Sequence, residues 1–245
     1  MKSAWLTLRS ALLWAISGVH FAFVCSFLVC LGMFIDPRKN DWPQRVFFRN
    51  ILRLAGAKFE VRRSAGFDPV ATSIFICNHV NLFDPFVIYS AIPQFVRGLE
   101  LASHFKIPIY GWLMGRFGNV PVPDTKSREG LALMRRKAKE ALGSGISLIA
   151  FAEGSRTRDG HVHKFHRGAL RIAQSFSVPI VPISIVGSYQ FFQTGNWMLH
   201  PGKITVYLHD TISAEQVRSG DLDQLTERVQ AIVAAPVEES LNSGL

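Results

Sequence analysis

The chain has 245 residues, 48% of them hydrophobic, enough for a sizeable core in one α/β domain with a small accessory segment, so extensive disorder is excluded. Its 27 Lys and Arg against 18 Asp and Glu give a net charge of +9, which calls for an anionic partner: nucleic acid, a phospholipid surface or a phosphorylated substrate. Only three cysteines are present, two of them inside an apolar run, which excludes a disulfide-stapled secreted scaffold and suits a reducing compartment.

The first element runs from Ser10 to Ile35, 26 residues without Asp, Glu, Lys or Arg. A helix needs roughly 20 apolar residues to span a bilayer core, so this run is long enough with some tilt. Lys2 and Arg9 ahead of it also suit a secretory signal. The small-x-small spacing of a cleavage site is absent at its end (Leu31 to Ile35), so a retained membrane anchor is expected. His20, Cys25 and Cys30 inside the run are read as passive residues. Residues 36–65 then hold eight Lys and Arg (Arg38, Lys39, Arg45, Arg49, Arg53, Lys58, Arg62, Arg63) against Asp36, Asp41 and Glu60, a local +5 of the whole +9. Trp42 to Ala55 reads as a helix with Phe47, Ile51, Leu54 and Ala55 on one face and Arg45, Arg49 and Arg53 on another. Such a helix either lies in the interface of an anionic phospholipid membrane or packs as an ordinary solvated helix on the domain. Basic residues flanking a span favour the cytoplasmic side, which places the remainder at the cytoplasmic face of the inner membrane. With the charge accounted for in this way, no nucleic-acid partner is expected. The chain divides into residues 1–60, a membrane helix plus a basic amphipathic helix, and residues 61–245, an α/β domain.

Beyond residue 70, β-rich runs alternate with helical stretches. Strands are predicted at Ser73–Cys77, Leu99–Ala102, Asn119–Val122, Ile146–Phe151, Ile180–Val186 and Lys203–Leu208. Helices are predicted at Pro85–Ala91, Pro108–Phe117, Ser127–Leu142, Gly168–Phe176 and Leu222–Ala235. In the third of these, Leu131, Met134, Ala138 and Leu142 form the stripe expected to be buried, and Gly143 ends the helix. The alternation argues for an α/β sandwich with a largely parallel or mixed sheet, whose chemistry sits in loops beyond the strand ends.

Two such loops carry reactive residues. Asn78-His79-Val80-Asn81-Leu82-Phe83-Asp84-Pro85 follows an apolar strand. Asp84-Pro85 reads as an N-cap with proline at the first helical position. On a loop closing onto that helix start, the carboxylate reaches the imidazole of His79, fixes its tautomer and raises the basicity of the other ring nitrogen. The second loop, Phe151-Ala152-Glu153-Gly154-Ser155-Arg156-Thr157-Arg158-Asp159-Gly160, concentrates a carboxylate, two guanidiniums and two glycines where backbone amides can be exposed. Arginine forks match phosphate oxygens, though a charged surface loop has the same composition. His161, His163 and His166 follow in a spacing that fits no standard zinc pattern, so no metal is expected. Cys77 ends a buried strand and is a poor nucleophile.

Asn78-His79 with Asp84, Phe151 to Arg156, and Val178-Pro179-Ile180-Val181-Pro182-Ile183 occur in that order. In these motifs the chain resembles the glycerolipid acyltransferases of the 1-acyl-glycerol-3-phosphate acyltransferase family over roughly residues 45–210. The resemblance implies a mixed-sheet αβ sandwich behind a membrane-associated helical segment. It implies acyl transfer from acyl-CoA or acyl carrier protein to a lysophospholipid hydroxyl, 1-acyl-sn-glycerol-3-phosphate giving phosphatidic acid, with no cofactor beyond the acyl donor. His79 matches the general base and Asp84 its orienting partner. Glu153, Gly154, Ser155 and Arg156 match the loop that binds the acceptor phosphate. Transfer is then direct, without an acyl-enzyme. Ser155 and Ala152 stand where the family commonly has Thr and Pro. Asp124 stands where it has a phosphate-binding Arg, with Lys126 and Arg128 nearby but not aligned, and Ala102-Ser103 stands where it often has Lys. These departures bear on the acceptor head group and leave lyso-ornithine lipid or a larger lysophospholipid as alternatives. Arg135, Arg136, Lys137 and Lys139 form either a docking face for an acidic carrier protein or a solvated helix face. Two readings outside this class are a metal-dependent hydrolase using His79, Asp84 and the three later histidines, and a non-catalytic membrane-binding protein.

Overall fold

The computed structural model describes residues 2–36, 41–125 and 127–243; Arg38, Lys39 and Lys126 lie outside the described residues. The long apolar run folds as α1 (Lys2–Phe34), followed by α2 (Trp42–Leu54). Seven strands form one sheet: β1 (Ala57–Arg63), β2 (Ile74–Cys77), β3 (Val96–Leu101), β4 (Val120–Val122), β5 (Ser147–Phe151), β6 (Ile180–Val186) and β7 (Gly202–Leu208). Their order across the sheet is β1-β7-β6-β2-β5-β3-β4. All neighbouring pairs are parallel except β6 and β7, so the sheet is mixed, as the alternation predicted. The helices are α3 (Asp84–Ala91), α4 (Tyr110–Phe117), α5 (Arg128–Gly143), α6 (Gly168–Phe176), α7 (Ser188–Phe191), α8 (Ala214–Ser219) and α9 (Leu222–Asn242).

The period-2 alternation of the central strands sorts their side chains between two cores. Phe75 and Cys77 of β2 with Val181 and Ile183 of β6 pack with Phe47 and Ile51 of α2, Val87 and Ile88 of α3, and Leu113 and Phe117 of α4. Ile74, Ile76, Leu148 and Ala150 point the other way, onto Ala138 of α5, Leu170 and Ala173 of α6, and Val229 and Val233 of α9. Continuous burial of β2 (every residue 0% exposed) is what a strand covered on both faces requires.

Several expectations are corrected by this architecture. β1 was not anticipated: Lys58, Arg62 and Arg63 give it the charge of a surface segment, yet it pairs along its whole length with β7 as an edge strand, where basic side chains discourage further pairing. The division expected between residues 60 and 61 therefore falls inside β1. Leu52, not Leu54, joins the buried face of α2, and Arg45 leaves the basic face to bind the Ile92 carbonyl, the Gln94 carbonyl at 2.5 Å and Asp41 at 2.8 Å. Leu131 is 39% exposed, and the buried residues of α5 are Ala138, Ala141 and Leu142 in its C-terminal half. Leu222–Ala235 extends through Pro236 to Asn242, since burial of Val233 and Val237 offsets the one helical hydrogen bond that proline removes.

α1 is 33 residues long, about 50 Å, and apolar enough to cross a membrane. One stripe of it packs on the domain. Leu28 is buried in the core, Trp14 meets Phe83 and Phe192 edge-on or tilted, Arg9 donates to the Leu199 carbonyl at 2.7 Å, and Ser10 Oγ accepts from Leu199 N at 3.0 Å. The opposite stripe exposes Trp5, Leu8, Leu12, Ile16, Val19, Phe23 and Phe27.

Candidate active site

β2, β5 and β6 end side by side, and the loops that leave them meet. The β2 loop is pinned first by Asn78, whose side chain exchanges two hydrogen bonds with the backbone of Ile185 in β6, at 2.8 and 3.1 Å. Asn81 closes the turn: its Oδ1 accepts from Phe83 N, and its Nδ2 donates to the carbonyls of Ser188 and Phe192 and to Ser188 Oγ, each at 2.8 Å. That turn folds the chain back so that Asp84 reaches His79.

His79 Nδ1 lies 2.8 Å from Asp84 Oδ2. Asp84 is fully buried, and the side chain of His79 is 19% exposed. Asp84 does not cap α3, as its place before proline suggested; Phe83 holds that position. Its carboxylate turns back instead and accepts from the amides of Val80 at 2.5 Å and Asn81 at 2.8 Å, and from Ser188 Oγ at 3.0 Å. A buried carboxylate needs this many donors to be tolerated, and they hold it in one position. Because the carboxylate takes Nδ1–H, Nε2 is the ring's acceptor, and it has no hydrogen bond among the described residues. The ring stacks on Phe151 with centroids 4.0 Å apart.

The β5 loop is tied to the same place. Glu153 is buried, and its two oxygens accept from the amides of His79 at 2.8 Å and His163 at 2.9 Å. Burial pushes its carboxyl above the usual range, and the two amides oppose that shift. Glu153 is thus committed to bridging the two loops. Thr157 N adds a bond to the His79 carbonyl at 2.8 Å. Between these anchors Gly154 adopts φ +71°, and a side chain there would meet the ring of His166 at 3.0 Å. Gly154, Ser155 and Arg156 are exposed; the amides of Ser155 and Arg156 and the guanidinium of Arg156 have no partner among the described residues. Unpaired amides beside a free arginine suit an anion.

Phe151 also lines an apolar cavity of about 410 Å³ between the sheet and α1 to α4. Trp14 and Phe21 of α1, Phe47 and Phe48 of α2, Phe86 of α3 and Met114 of α4 contribute to its wall. The histidine therefore sits between an apolar cavity and a loop with anion-binding groups.

The later histidines separate. His161 pairs with Glu238 of α9 at 2.6 Å, which holds its imidazole above the usual range, His163 pairs with Asp159 at 3.1 Å, and His166 covers Gly154. Among the described residues, no three His, Cys, Asp or Glu converge on a metal-sized site. Cys77 is buried, and burial raises its thiol well above the usual range. Asp124 accepts from the amide and hydroxyl of Ser103 at 2.9 and 2.6 Å, which lowers its carboxyl and ties it to the 3₁₀ turn Ala102–Lys106. Sequence reasoning gave no role to Ser188 or Phe151. Ser188 lies 104 residues from Asp84, and the one local signal for it is Gly187, at φ +83°, where a Cβ would meet the Lys203 carbonyl at 2.1 Å.

A sequence model described as Acyltransferase matches residues 58–186. The chain is 31% identical to the chloroplastic 1-acyl-sn-glycerol-3-phosphate acyltransferase BAT2 of Brassica napus over 57% of the chain and 40% of that protein. It is 23% identical to the 1-acyl-sn-glycerol-3-phosphate acyltransferase of Pseudomonas aeruginosa over 76% of the chain and 71% of that protein. The chain thus spans about two fifths of the length of its plant chloroplast relatives. The crystal structure of the 1-acyl-sn-glycerophosphate acyltransferase PlsC from Thermotoga maritima superposes with a TM-score of 0.76 at 24% identity, covering 98% of this chain and 97% of that one, and so shares its fold. With more than half of its length matched by that sequence model, the segment holding both loops included, the chain belongs to the Acyltransferase family.

Proposed function

We propose that this protein transfers a fatty acyl group from a thioester, acyl-CoA or acyl carrier protein, to the free hydroxyl of 1-acyl-sn-glycerol-3-phosphate, giving phosphatidic acid at the cytoplasmic face of the inner membrane. The observation that carries the reading is His79: its Nδ1 is held by buried Asp84 while Nε2 is left open between an apolar cavity and the Arg156 loop. Nε2 takes the proton of the acceptor hydroxyl as its oxygen attacks the thioester carbonyl, a role contributing about 10²–10⁴-fold. The C–S bond breaks, the thiolate leaves with the proton, and His79 returns neutral. Asp84 stabilises the transient imidazolium. The cavity holds an acyl chain, and Arg156 with the Ser155 and Arg156 amides holds the acceptor phosphate. Glu153 acts on substrate only through the positions of His79 and the loop. The exposed stripe of α1 embeds in the bilayer and brings lipid substrates to the site.

The test is thiol release by the purified full-length protein with an acyl-CoA and a panel of acceptors. Release with 1-acyl-sn-glycerol-3-phosphate, lost in His79→Ala without loss of fold, is the expected result; near-normal turnover in that variant overturns the mechanism. Arg156→Ala raises KM for the phosphate-bearing acceptor more than for a zwitterionic one. Asp124 favours a second reading of the acceptor: held by Ser103, it offers no cation where the family has one. Faster turnover of lyso-ornithine lipid or a larger lysophospholipid in the same panel establishes that alternative.

A further inference from the structure

A groove of about 600 Å³ lies between α2, β1 and the C-terminal end of α3, and it shares no lining residue with the two catalytic loops. The half-buried Phe59 and Val61 line it with apolar surface over the buried Leu52 and Ile92, while Arg49, Arg53, Lys58 and Arg63 supply positive charge. The side chains of these four cations have no ion pair or hydrogen bond among the described residues. The nearby acids are engaged elsewhere: Asp41 by Arg45, and Glu60 by Arg62 and Lys203. Four unpaired cations call for an anion, and apolar surface between them calls for an anion with a hydrocarbon part.

The placement of the groove selects among such amphiphiles. Trp42, Val46, Arg49 and Arg53 share the exposed stripe of α2, so that stripe passes from apolar to basic over about 16 Å. Its apolar end, at Trp42, adjoins Phe27 and Ile35 at the exposed end of α1 around a small hollow. Apolar surface leading into basic surface on one face matches the passage from acyl chains to phosphates. We propose that this groove is a binding site for an anionic phospholipid of the bilayer that is not a substrate. The inference rests on the membrane association proposed above. It has a consequence for the active site: α2 is shared between the groove and the acyl cavity, which its Phe47, Phe48 and Ile51 line from the other side. A lipid in the groove stabilises that wall by linkage.

Two measurements on the full-length protein test the site. In the first, submicellar dihexanoyl-phosphatidylglycerol raises the Tm by about 2–4 °C near saturation. Inorganic phosphate at the same concentration does not, and the double variant R49Q/R53Q loses the shift. In the second, R49Q/R53Q loses about 30-fold in affinity for phosphatidylcholine vesicles containing phosphatidylglycerol. R135Q/R136Q, which removes the same charge from α5, loses less than threefold, and neither variant alters binding to pure phosphatidylcholine. Equal losses in the two variants, or no Tm shift, overturn the site. An equal shift from phosphate makes it a free-anion site, and competition by acyl carrier protein that depends on Arg49 and Arg53 gives it to the donor; both overturn the lipid assignment. Binding to neither vesicle removes the membrane reading as well, whereas binding to phosphatidylcholine with no gain from phosphatidylglycerol removes only the groove.

Discussion

Asp84 accepts from two backbone amides and the Ser188 hydroxyl while it holds His79. Asp84→Asn presents an amide that disfavours the required tautomer, and kcat should fall by about 10⁴-fold with the fold retained. Ser188→Ala removes the donor to Asp84 Oδ1, while Asn81 Nδ2 keeps the carbonyls of Ser188 and Phe192, costing about 1–3 kcal/mol of stability and a smaller fraction of kcat. Denaturant melts alongside steady-state rates separate the two effects. Glu153 gives a pH signature. Burial raises its folded pKa above the ordinary 4.5, so the folded protein binds more protons than the unfolded chain in that window. The wild type should therefore lose stability relative to Glu153→Gln as pH rises from 4.5 through the raised value, which paired denaturation curves across that range will show. A difference that grows in the opposite direction contradicts the burial argument.

At the level of elements, α1 presents two stripes, one packed on the domain and one exposed. Its exposed stripe, with Ile16 49% and Phe23 72% exposed, makes little contribution to the folded core. The double substitution Ile16→Asp and Phe23→Asp should move the protein from the membrane to the soluble fraction on flotation while leaving its melting temperature in mild detergent nearly unchanged. Leu52 of α2 is 1% exposed in the core. Leu52→Ala should cost about 2–5 kcal/mol and leave flotation intact. If both variants behave alike in the two assays, the exposed stripe of α1 and the buried core do not divide these roles. α9 shows how an element is set by its neighbours: it passes Pro236 because Val237 is buried and Glu238 binds His161 and the amide of Val162.

For the whole molecule, the apolar cavity beside His79 exists only once α1, α2, α3 and α4 close on one face of the sheet. Gly98 of β3 lines it, and a Cβ there meets Asn119 Oδ1 at 3.4 Å and Tyr89 Oη at 3.6 Å, so a small side chain fits and a large one projects into the space. Gly98→Leu should lower turnover of a long-chain acyl-CoA several-fold more than that of a short-chain one. Equal loss for both chain lengths places the acyl group elsewhere.

The placement of most central strands was legible because a strand covered on both faces is an unbroken apolar run, and β6 and α6 have the residue limits their patterns predicted. His79, Asp84 and the 153–156 loop were legible because each follows such a strand, where the backbone must turn and polar residues are otherwise out of place. β1 was hidden by its own charge, since an edge strand needs only one apolar face. Sequence alone placed Glu153 with the phosphate-binding loop and Arg45 on the basic face of α2, whereas the structure turns Glu153 to the amides of His79 and His163 and Arg45 to the end of α3. Those choices depend on long-range contacts, such as Glu153 with the amide of His79 and Asp84 with Ser188 across 104 residues. Local pattern fixes where chain segments turn and which faces are apolar. Which polar atoms find partners, and which remain free to act, is decided only when distant segments pack.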